Sequence, residues 1–456
     1  MKTIVRLQAP LRSAPKQALL ASVLALTTAA THAMGLNGIF ELALKNDSTY
    51  LGAVADNRAA QEFVPQAESQ RLPNVSLTGS ADGVKRLRTR RSLRSLGNTE
   101  RADFFFSGDL SLQVSQPIYR KNIVIEIDQA DSRTQQANAD FAFALQDLIV
   151  RVAESYFGVL AAIDSLDFAR AEQDAISQQL TQSQQRFEVG LIAVTDVEEA
   201  RAGFDLAVAR VIAAQNNLDS TFESLREIIG RYIRSLDPLG DNVPLVVPEP
   251  NDIDSWTQTA LEQNWQLEAT RLQVATARDE IRRIETGHLP TLDLVGSSAF
   301  NVIRGAGTSS NDTWDNSIGF RLNLPLYQGG LVLSRTRESQ HRHQSALEAH
   351  ERQRRATQRL TRGAFRGVLS GISQVKALGQ AVRSAESALE AIEAGFQVGT
   401  RTSVDVLNAQ RELFGASRDF SGARYDYILN ILRLKQASGT LSPRDLKEVD
   451  AWLNSG

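Results

Sequence analysis

The chain has no cysteine in its 456 residues. That excludes a disulfide framework, a thiolate metal site, a catalytic thiol and a lipid-acylated cysteine anchor. Long apolar runs are missing too. Beyond the N-terminus no stretch reaches 18 apolar residues, so no transmembrane helix is expected. There is no glycine-rich phosphate loop, so energy from nucleotide or proton gradients must come from partners. His341, His343 and His350 lie on a polar stretch, but no carboxylate cluster at ligand spacing joins them into a metal site. No catalytic constellation is present. The chain therefore reads as a non-enzyme with no cofactor.

Residues 1–33 read as an export signal. Lys2, Arg6, Arg12 and Lys16 form a basic head, residues 18–30 a short apolar run, and Thr31-His32-Ala33 a small-residue cleavage site. The alternative is a disordered tail. Cleavage would leave 46 basic and 53 acidic residues, moving the net charge from -3 to -7. That balance argues against broad nucleic-acid binding. An exported protein without a membrane helix is either soluble or a β-barrel.

What is present is a repeat. RFEVGLIAVTDVEEA (186–200) returns about 209 positions later as GFQVGTRTSVDVLNA (395–409). Phe187, Val189, Gly190, Asp196, Val197 and Ala200 reappear as Phe396, Val398, Gly399, Asp405, Val406 and Ala409. One structural unit is built twice, and such units pack side by side. The expected layout is a first repeat at 34–236, a Pro-rich linker at 237–253, a second repeat at 254–439 and a C-terminal segment at 440–456. Each repeat opens with a short helical region (38–69 and 255–286). A strand follows, introduced by Leu72-Pro73 or Leu289-Pro290. Next come a polar loop and a strand ending in Pro-x-Tyr, at Pro117-Ile118-Tyr119 and Pro325-Leu326-Tyr327. A very long helix, a Val-Gly turn and a second long helix complete it.

The strands alternate with a period of two. Leu110, Leu112 and Val114 oppose Asp109, Ser111, Gln113 and Ser115; Ile318, Phe320, Leu322 and Leu324 oppose Ser317, Gly319, Arg321 and Asn323. Leu292, Leu294, Phe300 and Val302 oppose Thr291, Asp293, Ser297 and Asn301. One apolar and one polar face suit a membrane barrel with lipid outside and water inside, and equally a soluble half-buried sheet. The first strand loop is basic, with Lys85, Arg86, Arg88, Arg90, Arg91 and Arg94. It reads as a solvated rim, close to lipid phosphates if the sheet spans a membrane.

Residues 121–188 contain one glycine, Gly158, and no proline. As a helix they would reach about 100 Å at 1.5 Å per residue. After each Val-Gly turn a heptad stripe runs: Val197, Phe204, Val211, Leu218 and Leu225, then Val406, Leu413, Phe420, Tyr427 and Leu434. Companion positions are small, with Ala200, Ala207, Ala214, Ala409, Ala416 and Ala423. Seven-residue spacing means knobs-into-holes packing. The stripes are narrow and the remaining faces polar, which suits a ring wet on both surfaces better than a solid bundle. About four membrane-type strands per chain cannot close a barrel, which needs about eight. Two chains or three would suffice, and sequence pattern does not choose.

With these elements in view the chain resembles the TolC family of outer-membrane efflux and secretion channels, from residue 34 to about 446. The resemblance rests on AESYFGVLAAIDSL (153–166), QRFEVGLIAVTDVEEAR (185–201), GHLPTLDL (287–294), LPLYQGG (324–330) and AGFQVGTRTSVDVL (394–407). It implies a mainly α protein with a β portion. A homotrimer would form an outer-membrane β-barrel, four strands per chain, continuous with a long periplasmic α-helical barrel. It further implies a Gram-negative host and docking to a periplasmic adaptor (membrane fusion) protein and an inner-membrane RND or ABC transporter. Drugs, toxic small molecules or polypeptides would pass outward. The long C-terminal tail of the family is not found before Gly456. A soluble periplasmic coiled-coil scaffold is the alternative; it explains the heptads but not the alternating strands.

By the same resemblance, Val189, Gly190 and Leu191 with Val398, Gly399 and Thr400 form the periplasmic tips that meet the adaptor. Gly190 and Gly399 also suit a plain helix reversal. Asp405 matches an acidic residue at the narrowest point, and Asn408 stands where the family has a second Asp. A trimer would then carry one carboxylate ring, giving a cation preference weaker than two rings give. The other reading of Asp405 and Asp196 is helix capping. Arg401, Thr195, Gln185 and Asp196 match a network of links that closes the entrance. Phe396 departs from the pattern, because the family tyrosine hydroxyl is absent. The link to Asp196 is therefore expected to be missing, and Arg401 to hold more of the closure. An ordinary surface salt bridge is the plainer role for a lone Arg.

Overall fold

The structure is a computed structural model that describes residues 34–91, 98–233, 235–241, 243–305 and 311–453, with side chains for all of these but 86–91 and 98–103. The export-signal reading of 1–33 lies outside the described residues. So do Arg94, the side chains of Arg86, Arg88, Arg90 and Arg91, and the interior of the second strand loop.

Three short helices open the chain. In α1 (Leu36–Asn46), Leu36, Ile39, Phe40 and Ala43 are buried at helical spacing along one stripe. Asp47 caps α2 (Ser48–Gln61), its carboxylate accepting from the Tyr50 N–H at 2.6 Å. Next is α3 (Phe63–Ser69). Leu72-Pro73 then favours extended backbone, and β1 (Asn74–Arg91) begins. It pairs antiparallel with β2 (Asn98–Tyr119). The second repeat runs through α6 (Ile253–Gln263) and α7 (Trp265–Glu285) to β3 (Thr291–Gly305) and β4 (Asn311–Asn323). The four strands form one antiparallel sheet in the order β1-β2-β3-β4.

Register sorts its residues onto two faces. Val75↔Val114, Leu77↔Leu112, Leu110↔Phe300, Leu294↔Phe320 and Leu292↔Leu322 pair apolar with apolar. Ser76↔Gln113, Asp109↔Asn301 and Ser297↔Ser317 pair polar with polar. The apolar face is open in the single chain: Ile318 is 81% exposed, Phe320 72% and Leu322 67%. From Leu292 to Val302 is ten residue steps, about 33 Å along the strand and about 25 Å along a membrane normal at ~40° tilt. Aromatic Phe106, Phe300 and Trp314 stand near one end of this band and Tyr119 at the other.

One expectation is corrected. The second strand of each repeat was to end in Pro-x-Tyr. β2 does, with a register shift between Pro117 and Tyr119, but β4 stops at Asn323, and Leu324 to Tyr327 lie outside the ladder. Pro117 lies beyond the β1 ladder, which ends at Asn74↔Ser115, but still pairs with Asp293 of β3 and is absorbed by a bulge. Pro325 follows an edge strand with no further neighbour among the described residues to hold it in register.

From the sheet descend α4 (Lys121–Glu188, 68 residues) and α8 (Leu331–Gln397, 67 residues). Each folds back through a tight tip into α5 (Val194–Ile229) or α9 (Ser403–Ala437). The heptad positions face these hairpin seams: Val197, Leu225, Val406, Tyr427 and Leu434 are buried, as are Ala200, Ala207, Ala409 and Ala423. Nearer the sheet, α7 lies between α4 and α8; there His350 Nδ1 is 2.9 Å from Thr270 Oγ1, a contact between two helices.

The main core sits midway along the helices. Tyr156, Phe157, Leu36, Leu225, Tyr427, Ile428 and Leu432 are all at most 1% exposed. Each such side chain contributes roughly 1.5–3 kcal/mol of burial. The inter-repeat segment is pinned to this core: Tyr156 Oη donates to the Asp237 carbonyl at 2.7 Å, and Tyr427 Oη accepts from the Val246 N–H at 2.7 Å. A last helix, α10 (Pro443–Asp450), adds Leu446 and Val449.

Candidate functional site at the helix tips

The two tips are built alike. At the end of α4, the Gly190 N–H reaches the Phe187 carbonyl at 2.9 Å and the Leu191 N–H the Arg186 carbonyl at 2.9 Å. At the end of α8, Gly399 N–H reaches Phe396 O at 3.2 Å and Thr400 N–H reaches Gly395 O at 2.8 Å. This paired pattern closes a helix through one left-handed residue. Gly190 has φ +75° and Gly399 φ +80°, and nothing lies within 4 Å of where a Cβ would stand. Backbone angle, not crowding, asks for glycine there. The apolar residues beside them face out: Val189 is 70% exposed, Leu191 73% and Val398 76%.

The two repeat aspartates occupy equivalent caps. Asp196 accepts from the Ala193 N–H at 3.3 Å. Asp405 accepts from the Thr402 N–H at 2.9 Å and hydroxyl at 3.0 Å, while its own N–H reaches Thr402 Oγ1 at 3.2 Å. These bonds from the Thr402 backbone and side chain, with the nearby Arg401 charge, hold the Asp405 carboxyl below the usual carboxylate range. Asn408, one turn along α9, is exposed.

Arg401, Thr195 and Gln185 are exposed at the tips. Among the described residues no hydrogen bond joins Arg401 to Thr195 within the chain. The Arg401 side chain instead lies along Gly395, its Cγ 2.8 Å from where a Cβ there would stand. Phe396 is placed differently. It is buried, 7% exposed, with the Arg186 guanidinium 4.1 Å above its ring centroid and Arg186 Nη1 3.5 Å from its carbonyl.

Sequence pattern missed the seam between the two hairpins. Gln179 Nε2 donates to Ser403 Oγ at 2.9 Å, and Ser183 Oγ is 3.4 Å from the same hydroxyl. All three side chains are buried. Leu407 packs with Ile176, Ala200 and Ala207 just beside them. Positions 179, 183 and 186 fall on one face of α4 by their spacing. In sequence they sit among Gln182, Gln184 and Gln185 and look like one more solvated face; only the 4-then-3 spacing marked them.

Comparison with known proteins places this architecture. The profile of the outer membrane efflux protein family matches residues 39–231 and 256–440. Outer membrane protein TolC of Vibrio cholerae is 38% identical over 435 residues, covering 93% of this chain and 95% of that protein. The proteases secretion protein PrtF of Dickeya chrysanthemi is 30% identical over 446 residues, covering 96% of each. Among solved structures, the outer-membrane channel OprN superposes with a TM-score of 0.74 at 19% identity, covering 89% of this chain and 90% of that one. That last likeness is one of fold.

Proposed function

The chain belongs to the outer membrane efflux protein family, and from that premise we propose how it works as a channel of three copies. It is an outer-membrane exit duct for efflux and type I secretion, extending into the periplasm. It conducts passively and is not an enzyme. The observation that carries this reading is the sheet: among the described residues it has four strands, two free edges, and an apolar face that none of them covers. An open edge must pair, and an exposed apolar band of this height suits lipid. Three copies close twelve strands with polar residues inward. A soluble coiled-coil scaffold leaves that face without a role.

The helices support the same assembly. Leu51, Ala55, Ala59 and Phe63 form an exposed stripe on α2 and α3, and Leu333, Leu347 and Leu360 are exposed on α8. In a ring these two free flanks of neighbouring copies meet. The repeats 34–236 and 254–439 each supply one hairpin to the α-barrel. The tips at Val189, Gly190, Leu191, Val398, Gly399 and Thr400 receive the periplasmic adaptor, whose inner-membrane RND or ABC partner supplies the energy. Asp405 lines the narrowest point; Arg401, Thr195, Asp196 and Gln185 link neighbouring helices in the closed state.

The test uses the absence of native cysteine. Each chain is given two cysteines, one on β1 and one on β4, in a series of paired positions, and the membrane-extracted protein is oxidised. The expected product is a crosslinked series ending at three chains. A series ending at two, or no product from any β1–β4 combination, overturns the trimer.

A further inference from the structure

We propose that Arg186 latches the resting entrance from inside each chain by clasping Phe396. The proposal rests on the exit-duct reading above and adds a link that acts within one chain. The two hairpins of a chain are separate covalent units near their tips, and an entrance can widen only if one swings from the other. Beside the apolar cluster of Leu407 with Ile176, Ala200 and Ala207, a polar stripe on α4 joins them there. Gln179 and Ser183 hold Ser403, at the start of α9. Arg186, a turn further on, covers the ring of Phe396 at the end of α8. The three α4 positions are spaced by four and three residues, so one helix face makes all three contacts.

The chemistry of the pair suits a latch. A guanidinium over an aromatic face is held by the ring quadrupole, more strongly where water is excluded. Phe396 is 7% exposed, so its ring is largely shielded. Arg186 also points a nitrogen at the Phe396 carbonyl, 3.5 Å away, which fixes the guanidinium over both ring and backbone. Phenylalanine at this position lacks a hydroxyl, yet it offers the face that a cation needs. Swinging the hairpins apart uncovers the ring and strips Gln179 and Ser183 of their shared partner. Both losses favour the closed arrangement. Arg186 is a positioning residue: it holds the hairpin and need not touch what passes through.

The experiment is single-channel recording of the full-length protein in planar lipid films. Arg186→Gln and Phe396→Leu are each expected to raise the open-to-closed ratio about tenfold, the size of a shielded cation–π contact. Leucine fills much of the same space without a π face, so its effect separates the latch from packing. Phe396→Tyr keeps the face and stays closed. Arg186→Lys retains part of the closure, since an ammonium also binds ring faces but cannot stack flat. The double variant Arg186→Gln/Phe396→Leu opens no further than either single change, because both remove one contact. If Phe396→Leu stays as closed as the original, packing alone holds the tip and the proposal is overturned. It is overturned equally if Arg186→Gln conducts unchanged while Arg401→Ser opens the entrance. Silence of the original and of every variant alike, Arg401→Ser included, would instead overturn the exit-duct reading. Should Arg186→Gln fail to assemble on gels, the Leu and Tyr variants at 396 decide alone.

Discussion

Arg120 grips Asp293 through two hydrogen bonds, Nε to Oδ1 at 2.8 Å and Nη2 to Oδ2 at 2.7 Å. The residue just before the 68-residue α4 is thereby tied to the third residue of β3, joining the helices of the first repeat to a strand of the second. The pair is lopsided: the Asp293 side chain is 9% exposed and that of Arg120 40%. Removing Arg120 strands a buried carboxylate, whereas removing Asp293 releases a cation to water. Arg120→Ala should therefore cost more than Asp293→Ala, about 2 kcal/mol against less than ~1 kcal/mol. Thermal unfolding of the membrane-extracted protein checks the order; equal losses would contradict it.

Asp405 should set ion preference. Asp405→Asn is expected to weaken cation selectivity in bilayer recordings, and unchanged reversal potentials would remove it from the constriction. The pH response has a definite sign. The carboxylate is charged above its pKa and neutral below, and its cap at Thr402 holds that pKa low. Crowding by two sister carboxylates acts the other way. Cation preference should thus be present at neutral pH and be lost as the pH falls through the folded pKa of this carboxyl.

Arg401→Ser should widen the resting entrance. Arg401 is exposed and makes no bond to Thr195 within its own chain among the described residues, so its partners in a ring would come from a neighbouring copy. Raised single-channel conductance is the expected reading. No change would assign Arg401 to the surface, where ion pairs contribute little.

Asp47 carries an acid-sensitive part of the fold. Its carboxylate caps α2 and accepts from Arg151 Nη1 at 2.9 Å and Nη2 at 3.0 Å. Burial pushes its pKa up, but the bonds from Arg151 and the Tyr50 N–H outweigh that and leave it lowered. A folded pKa below the unfolded one stabilises at neutral pH, and that stabilisation is lost as pH falls through the folded value. Asp47→Asn should cost about 1.5–3 kcal/mol at pH 7, and the gap to the original should shrink as the pH falls below the ordinary carboxylate range of about 4. Denaturant titrations at pH 7 and pH 3 measure both; a constant gap would break the assignment.

Much of the architecture was legible in the residues. Leu110, Leu112, Val114, Ile318, Phe320 and Leu322 alternate with polar neighbours, and period two announces a two-faced sheet. Val197 through Leu225 and Val406 through Leu434 repeat every seven, and that spacing announces hairpin seams. Gly190 and Gly399 marked both reversals. The capping reading of Asp196 and Asp405 was also available, because a cap lies within three residues of its partner.

The end of β4 was not legible, since Leu-Pro-Leu-Tyr at 324–327 resembles the close of β2; whether the proline is held depends on neighbouring strands. Nor were the tip contacts. Gln179 meets Ser403 across 224 residues and Arg186 meets Phe396 across 210. Arg120 meets Asp293 across 173. Sequence by itself determined the elements, their faces and their duplication, because periodicity is a local property of backbone geometry. Tertiary structure alone decided which polar side chains leave water to hold distant segments together: that choice depends on where two hairpins come to lie, and no spacing within either one records it.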